Sequence, residues 1–178
     1  MGQPKEFERE KLIIGILYRD MELAGECEKR LETIFGRIDH RSSSYNFSEI
    51  SGYYDTEMNG QVTKYFLSFE GLIDPARLVE IKLLTNMLED EYSVNGGRQV
   101  NLDPGIIGHG RLILATTKKA PHRIPLNSGI YGEMTLFFAR KKWQHLPWTY
   151  LDFKTDLVKQ FLTEARNIYL QQRSTEFN

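Results

Sequence analysis

A continuous run of apolar residues near the start of the chain, KLIIGILY at residues 11–18, most constrains the fold. The run does not alternate between apolar and polar residues, and such continuous apolarity is typical of a strand covered on both faces. It therefore predicts a central strand with a layer of structure on each side. At 178 residues the chain is long enough to bury a core of this kind. We expect a single domain over 1–178, with its core at about 11–172 and short disordered termini.

Three amphipathic helices are predicted from the three- and four-residue spacing of apolar side chains. The first lies between Asp20, a favoured N-cap residue, and Gly36, a residue type favoured just after a helix end. The second begins at Asp74-Pro75, because proline is favoured at the first helical position. The third occupies the tail from Thr149 onward.

The remaining segments predict strands and one tight turn. Asp103-Pro104-Gly105 is predicted to be a turn between two strands, since proline fixes φ at its second position and glycine accepts a positive φ at its third. The order of elements fits an α+β domain with a mixed or antiparallel sheet, which starts with a ferredoxin-like split β-α-β unit and ends with a hairpin and a helix. The further strands are expected near Ile38, at 62–70, through Val100 and Leu102, at 111–117 and at 130–138.

Composition argues against several classes of protein. Lys and Arg total 23 against 24 for Asp and Glu, and this balance argues against a nucleic-acid protein that depends on a strong positive field. No apolar run approaches the ~20 residues that cross a bilayer, and the charged N-terminus carries no apolar signal region. The lone Cys27 cannot form an internal disulfide and is expected to pack in the core. These features predict a cytoplasmic protein with no membrane partner.

No common catalytic motif is present in the sequence. It contains no GxxxxGK[ST] loop, no GxGxxG, no HExxH, no paired CxxC and no GxSxG. The four histidines form no i, i+4 pair, and the nearest carboxylate and imidazole neighbours are Asp39-His40 and Asp103 with His109. We therefore assign no metal site. The sequence identifies no cofactor and no oligomeric state, and it leaves open whether the protein is an enzyme.

The best candidate site is the connection between the strands at 111–117 and 130–138. If these strands pair as a hairpin, the connection KKAPHRIPLNSG is 12 residues long, well beyond the usual two to five. Cations and hydroxyl donors of this kind suit the phosphate or carboxylate of a small metabolite or nucleotide. The alternative is a solvated loop whose charges only maintain solubility. The candidate anion-binding residues are Thr116, Thr117, Lys118, Lys119 and Arg123, with His122 as a titratable neighbour.

Glu133 on the following strand is a candidate general base, because a carboxylate within so apolar a strand is costly to bury unless it is paired or functional. It would form an acid–base pair with His122, or a salt bridge with Arg123 or Arg111. A solvent-facing position is the alternative. Alternation places Thr135 and Phe137 on its face of the strand, with Met134 and Leu136 on the other. Tyr131, on the face of Glu133, and Asn101, which the predicted turn leaves unexplained, complete the candidate ligand-binding set.

Two aromatic segments offer a different kind of function. Tyr53-Tyr54 lies in a loop-like region that either covers the core as a flap or lines a groove. The segment from Trp143 to Tyr150 either closes the core or stacks on a ligand. With both segments exposed, the protein would be a non-enzymatic interaction or regulatory module. RNA binding through a sheet face bearing Tyr65 or Phe66 is a third alternative, for which no RNP-type motif is present.

A set of short motifs resembles a family of small bacterial proteins, the domain-of-unknown-function family 4416. The motifs are LIIGILY, YFLSFEGLIDP, IKLLTNMLE, NLDPG, LATTK, HRI, GIYGEMTL and LPWTYLDFKT, which run in this order from Lys11 to Phe161. The resemblance implies a stand-alone bacterial cytoplasmic protein. It supplies no activity and no catalytic residue.

Overall fold

A computed structural model describes residues 2–176, which form three helices and nine strands in one sheet. Every strand pairing within this range is antiparallel, and the α+β class is confirmed. The elements are β1 (Glu10–Tyr18), α1 (Met21–Phe35), β2 (Ile38–Arg41), β3 (Tyr45–Asn46), β4 (Thr63–Ile73), α2 (Leu78–Glu91), β5 (Val100–Ile107), β6 (Arg111–Thr116), β7 (Ile124–Asn127), β8 (Ile130–Ala139), β9 (Lys142–His145) and α3 (Asp156–Glu176).

The sheet has the strand order β2-β4-β1-β5-β6-β8-β7, with β3 also paired to β4 and β9 to β8. The predicted central strand is confirmed, because β1 lies between β4 and β5 and every one of its residues is buried. Alternate β1 side chains, such as Leu12 and Ile14, pack with α1 and α2 on one face of the sheet. Ile13 points to the other face and packs in a cluster with Phe161 and Leu162 of α3. The sheet is therefore covered on both faces.

Local capping chemistry sets the helix ends. The Asp20 carboxylate accepts a hydrogen bond of 2.8 Å from the Glu22 N–H, and α1 ends before Gly36, whose φ of 92° favours glycine. The Asp74 carboxylate accepts from the backbone N–H two residues later, but Pro75–Arg77 form a 3-10 turn, so α2 begins at Leu78 rather than at the proline.

The predicted Asp103-Pro104-Gly105 turn is wrong, because all three residues lie within β5 and pair with β1. Pairing of β5 with β6 begins only at Gly105, so on that side no partner strand requires the N–H that proline lacks. Glycine is needed at position 105 because β6 packs closely against it, and its φ is not positive. A Cβ at this position would lie 2.6 Å from a methyl carbon of Leu114 and 2.8 Å from the backbone oxygen of Ile113.

The predicted pairing of 111–117 with 130–138 is confirmed as β6 and β8, but two details differ. The connection is not a continuous loop, since β7 lies within it and pairs with β8. A register shift opposite Leu112 breaks the alternation of β8. Leu136, predicted on the opposite face, therefore shares the buried face with Glu133.

No helix among residues 2–176 is long and apolar enough to span a bilayer. The third helix continues to Glu176. Disordered termini are predicted outside about 11–172, but residues 173–176 belong to this helix, and Met1, Phe177 and Asn178 lie outside the described residues.

Candidate functional site

A cavity of about 430 Å³ opens where β5 and β6 separate. The two strands pair only over Gly105–Ile107 of β5, and both continue beyond this pairing as part of the cavity lining. Segments 47–54 and 149–153 contribute the remaining walls, together with residues of α2. The site is thus a gap in the sheet with loops around it. Polar groups from several parts of the chain converge there.

Two side chains of α2 replace the missing strand partner at Leu102. The buried Glu89 carboxylate accepts a hydrogen bond of 2.8 Å from the Leu102 N–H, and the Lys82 ammonium donates to the Leu102 carbonyl at 2.8 Å. The two charged groups lie 3.7 Å apart. Burial raises the pKa of Glu89, although Lys82 and the Leu102 N–H act in the opposite direction. These contacts satisfy backbone groups that a strand would otherwise pair.

A buried lysine lies between two aspartates on the cavity floor. The Lys64 ammonium donates to Asp152 at 2.9 Å and to Asp103 at 3.4 Å. Burial acts to lower the pKa of Lys64, but Asp152 and Asp103 outweigh this effect and raise it. Burial likewise acts to raise the pKa of Asp103, but Lys64 and Lys82 hold it below its ordinary value. Both shifts favour the ionised forms of Lys64 and Asp103. Tyr45 donates a further hydrogen bond of 3.2 Å to Asp152.

Asn101 connects this floor to an arginine. The Arg98 guanidinium donates to the Asn101 side-chain oxygen at 2.5 Å, and the Asn101 amide nitrogen donates to Asp103 at 3.1 Å. Arg98 also donates to Glu89 at 3.0 Å and to Glu57 at 2.9 Å. Asn101 is buried, and its contacts fix the orientation of the Asp103 carboxylate.

Glu133 is buried beside an arginine and a histidine, so the solvent-facing alternative is wrong. Its carboxylate accepts a hydrogen bond of 2.7 Å from Arg123 and lies 3.0 Å from the Nε2 atom of His122. Arg123 donates in addition to the hydroxyl of Tyr150 at 2.6 Å. The His122 ring stacks on Trp148 with the ring centres 4.8 Å apart. Arg123, rather than Arg111, is thus the partner of Glu133.

Lys118 differs from the other cations of the cavity because no carboxylate among residues 2–175 lies within salt-bridge distance of it. Its ammonium donates to the hydroxyl of Tyr53 at 3.0 Å and lies 4.4 Å from the centre of the same ring. The hydrogen bond from Lys118 lowers the pKa of Tyr53. The Tyr54 ring lies 5.7 Å from the ammonium.

The structure brings together most of the residues that the sequence predicts for the site. His122, Lys119 and Tyr131 do not line the cavity, although His122 reaches it through Glu133. Trp143 is buried and packs against Phe138. The predicted residues that line the cavity are Asn101, Thr116, Thr117, Lys118, Arg123 and Glu133.

Sequence reasoning missed the charged floor of the cavity. The sequence contains a signal for Lys64, since this lysine directly precedes the apolar run YFL in the β4 sequence TKYFLSFEGLI. The sequence pattern places Asp103 in a turn and otherwise marks it only as a carboxylate neighbour of His109. The missed charged residues that line the cavity are Lys64, Lys82, Glu89, Arg98, Asp103 and Asp152.

The neighbouring residues Asp39 and His40 lie outside the cavity and bind other side chains. The His40 ring stacks on Phe161, and its Nε2 atom lies 2.8 Å from Glu164. Asp39 is bound by Lys11 and Ser68. Within the described part of the chain, no three His, Cys, Asp or Glu side chains are placed to hold a metal ion.

Comparison with known proteins gives one match. A family model described as a domain of unknown function, DUF4416, matches residues 8–169. Neither a curated protein nor a solved structure matches the chain.

Proposed function

The chain belongs to the DUF4416 family, and since that description assigns no function, we propose from the cavity alone that the protein binds a small anionic metabolite or nucleotide. One observation carries the proposal. Lys118 lines the cavity with no carboxylate among residues 2–175 within salt-bridge distance, whereas Lys64, Lys82, Arg98 and Arg123 each have one. A cation of this kind can receive the charge of a ligand without losing an internal ion pair.

Hydroxyl donors lie next to this cation in the chain. Thr116 and Thr117 both line the cavity, and the Thr116 hydroxyl oxygen already accepts a hydrogen bond of 3.2 Å from the Lys118 N–H. The hydroxyl hydrogens of both threonines can donate to an anion. Arg123 is fixed by Glu133 and Tyr150 at the same wall. This wall would hold a phosphate or a carboxylate.

Aromatic rings supply the remaining surface for the ligand. The volume of the cavity lies in the range of small-molecule sites, roughly 300–1,000 Å³. Rings from both loop segments would cover the apolar part of a metabolite or stack on a base. The aromatic lining residues are Phe47, Tyr53, Tyr54, Tyr150 and Phe153.

The interaction module is the less favoured function. Tyr53 and Tyr150 are the exposed rings of the two aromatic segments, but both also line the cavity, and Trp143 is buried. The acid–base pair of His122 and Glu133 stays a prediction. Its 3.0 Å contact supports it, but we assign Glu133 a positioning role first, because its carboxylate is bound by Arg123.

Two adjacent lysines provide a matched test. We expect Lys118→Gln to weaken binding of inorganic pyrophosphate or adenosine 5′-monophosphate by roughly tenfold or more, the contribution of a charge-assisted hydrogen bond. Lys119→Gln removes the same charge one residue away but does not touch the cavity lining, so binding should be unchanged. Isothermal titration calorimetry measures both affinities. Equal losses in the two variants, or no binding of either probe to the unaltered protein, would refute the proposal.

We also propose a ferredoxin-like relationship for the first half of the chain. The strand order β2-β4-β1-β5 supports it, as does the packing of α1 and α2 residues on one face of this part of the sheet. The cytoplasmic location and the bacterial origin stay predictions.

A further inference from the structure

One carboxylate of the cavity is accessible from it. The Asp103 side chain is 29% exposed, whereas those of Asp152, Glu89 and Glu133 are 2%, 5% and 1% exposed. The three buried carboxylates serve internal partners. Asp103 is therefore the acidic group that a ligand in the cavity can contact.

Asp103 has acceptor capacity left for a ligand. It receives one hydrogen bond of 3.1 Å from Asn101 on one oxygen and one of 3.4 Å from Lys64 on the other. An ionised carboxylate offers about four acceptor positions and no donor. Each of its oxygens can thus accept a further hydrogen bond. The groups that it binds must be donors.

The charge around Asp103 favours donors that are neutral. Asp103 already lies 3.4 Å from the Lys64 ammonium, and the lining cations Lys64, Lys82 and Arg98 equal the lining carboxylates Asp103, Asp152 and Glu89 in number, with Glu57 outside the lining as a further partner of Arg98. An ammonium group of a ligand at Asp103 would come close to the Lys64 ammonium, which lies 3.4 Å from the same carboxylate, and the two like charges would repel each other. Hydroxyl groups donate without adding charge, and two neighbouring hydroxyls match the two carboxylate oxygens.

Building on the proposed function, we infer that the ligand is a hydroxylated phosphate ester, a sugar phosphate or a ribonucleotide, whose neighbouring hydroxyls donate to Asp103. Its phosphate would lie at Lys118, which lines the same cavity. Asp103 is then a specificity-determining residue that selects the hydroxylated ligand, while Lys118 provides affinity for the anion.

The test uses a pair of probes that differ only in their hydroxyls. Adenosine 5′-monophosphate should bind the unaltered protein roughly tenfold or more tightly than its 2′,3′-dideoxy analogue, because hydrogen bonds to a charged acceptor are lost in the analogue. Ribose 5-phosphate, which has no base, distinguishes a sugar phosphate from a ribonucleotide as the ligand. Binding as tight as that of the nucleotide indicates a sugar phosphate, and weaker binding indicates a nucleotide.

Asp103→Asn should abolish the preference for the hydroxylated probe while leaving the affinity for the dideoxy analogue within about twofold. This follows because one carboxylate oxygen is replaced by a donor. The exposed Asp90→Asn is the matched control and should leave the preference intact. Thermal unfolding of both variants checks that they are folded, and the comparison of the two probes on the unaltered protein needs no variant.

The outcomes separate the inference from the proposed function. Equal binding of the two nucleotide probes, with both still weakened by Lys118→Gln, would overturn the role of Asp103 and leave anion binding in place. Failure of inorganic pyrophosphate and of every phosphate ester to bind would overturn both.

Discussion

Replacing Lys64 by methionine should destabilise the protein strongly near neutral pH. Methionine has a similar length and keeps the apolar contacts of the lysine stem, but it removes the ammonium that lies 2.9 Å from Asp152 and 3.4 Å from Asp103. Both aspartates would then lie close together without the ammonium between them, although Lys82 still acts on Asp103. The rings of Phe66 and Phe153, 5.0 and 5.4 Å from the ammonium, leave little room for a replacement.

Burial sets the magnitude of this loss. Only 4% of the Lys64 side chain and 2% of the Asp152 side chain are exposed, so the pair belongs to the buried class, in which loss of one partner costs about 3–5 kcal/mol. For a domain of this size each kcal/mol lowers the melting temperature by roughly 2–4 °C, which gives a decrease of roughly 6–20 °C. Arg37→Met breaks the exposed ion pair with Glu70 and should lower the melting temperature by much less.

The decrease in the free energy of unfolding that Lys64→Met causes should depend on pH, and the pKa shift of Asp103 gives the direction. In the unaltered protein the pKa of Asp103 lies below its ordinary value of 3.8. Its contribution to the free energy of unfolding is therefore present above pH 3.8 and is lost as the pH falls through the pKa of the folded state. In Lys64→Met the largest charge that lowers the pKa of Asp103 is lost, so we expect that pKa to rise. The variant then gains stability relative to the unaltered protein as the pH falls. The difference between the two proteins shrinks in acid.

Urea unfolding followed by circular dichroism, at about pH 7 and about pH 4, measures this difference in the free energy of unfolding. A loss below about 1 kcal/mol near neutral pH would show that the ion pair is no stronger than an exposed one. A larger loss that does not change with pH would show that packing, rather than charge, explains it. Either result would refute the reasoning.

Three further predictions follow from single contacts. Gly105→Ala should destabilise the protein by about 1–3 kcal/mol, because the new methyl group meets backbone, whereas Gly25→Ala in α1 meets nothing within 4 Å and should stabilise it by about 0.5–1 kcal/mol; equal effects in thermal unfolding would contradict the packing argument. Burial raises the pKa of the Cys27 thiol to about 12, so iodoacetamide should modify it only in urea, and mass spectrometry showing equal modification of the folded protein would contradict this. Glu89→Leu leaves the Leu102 N–H without its acceptor, so hydrogen exchange at that amide should accelerate, whereas unchanged protection would mean that another group accepts this bond.

The elements that were predicted well are those whose signals are local. The Asp20 cap and Gly36 mark the two ends of α1 through contacts within a few residues, and the structure has both ends where the sequence placed them. The apolar run in β1 predicts a strand covered on both faces without any knowledge of what covers it. Such features depend on neighbours in the chain, and a single sequence contains those neighbours.

The charged floor of the cavity could not be predicted in the same way. Lys64 and Asp152 are 88 residues apart, and Lys82 meets Leu102 across 20 residues. Whether a buried charge has a partner is decided by the packing of distant segments, which spacing along one chain does not reveal. Residues 116–133 were found because cations, hydroxyls and a carboxylate are close in sequence there. Of these, Arg123 and Glu133 pair at 2.7 Å.

The turn that was wrongly predicted at Asp103-Pro104-Gly105 lies in a segment that borders the cavity. Proline is tolerated both in a turn and at an unpaired strand position, because neither requires a backbone N–H from that residue. In β5 the second case applies, because pairing with β6 starts only at Gly105. The close packing of Gly105 against β6 is followed directly by the separation of the two strands, and Asn101 and Asp103 line the resulting gap. The segment whose sequence predicts a turn is therefore the place where β5 and β6 separate, and this separation exposes the Asp103 carboxylate to a ligand.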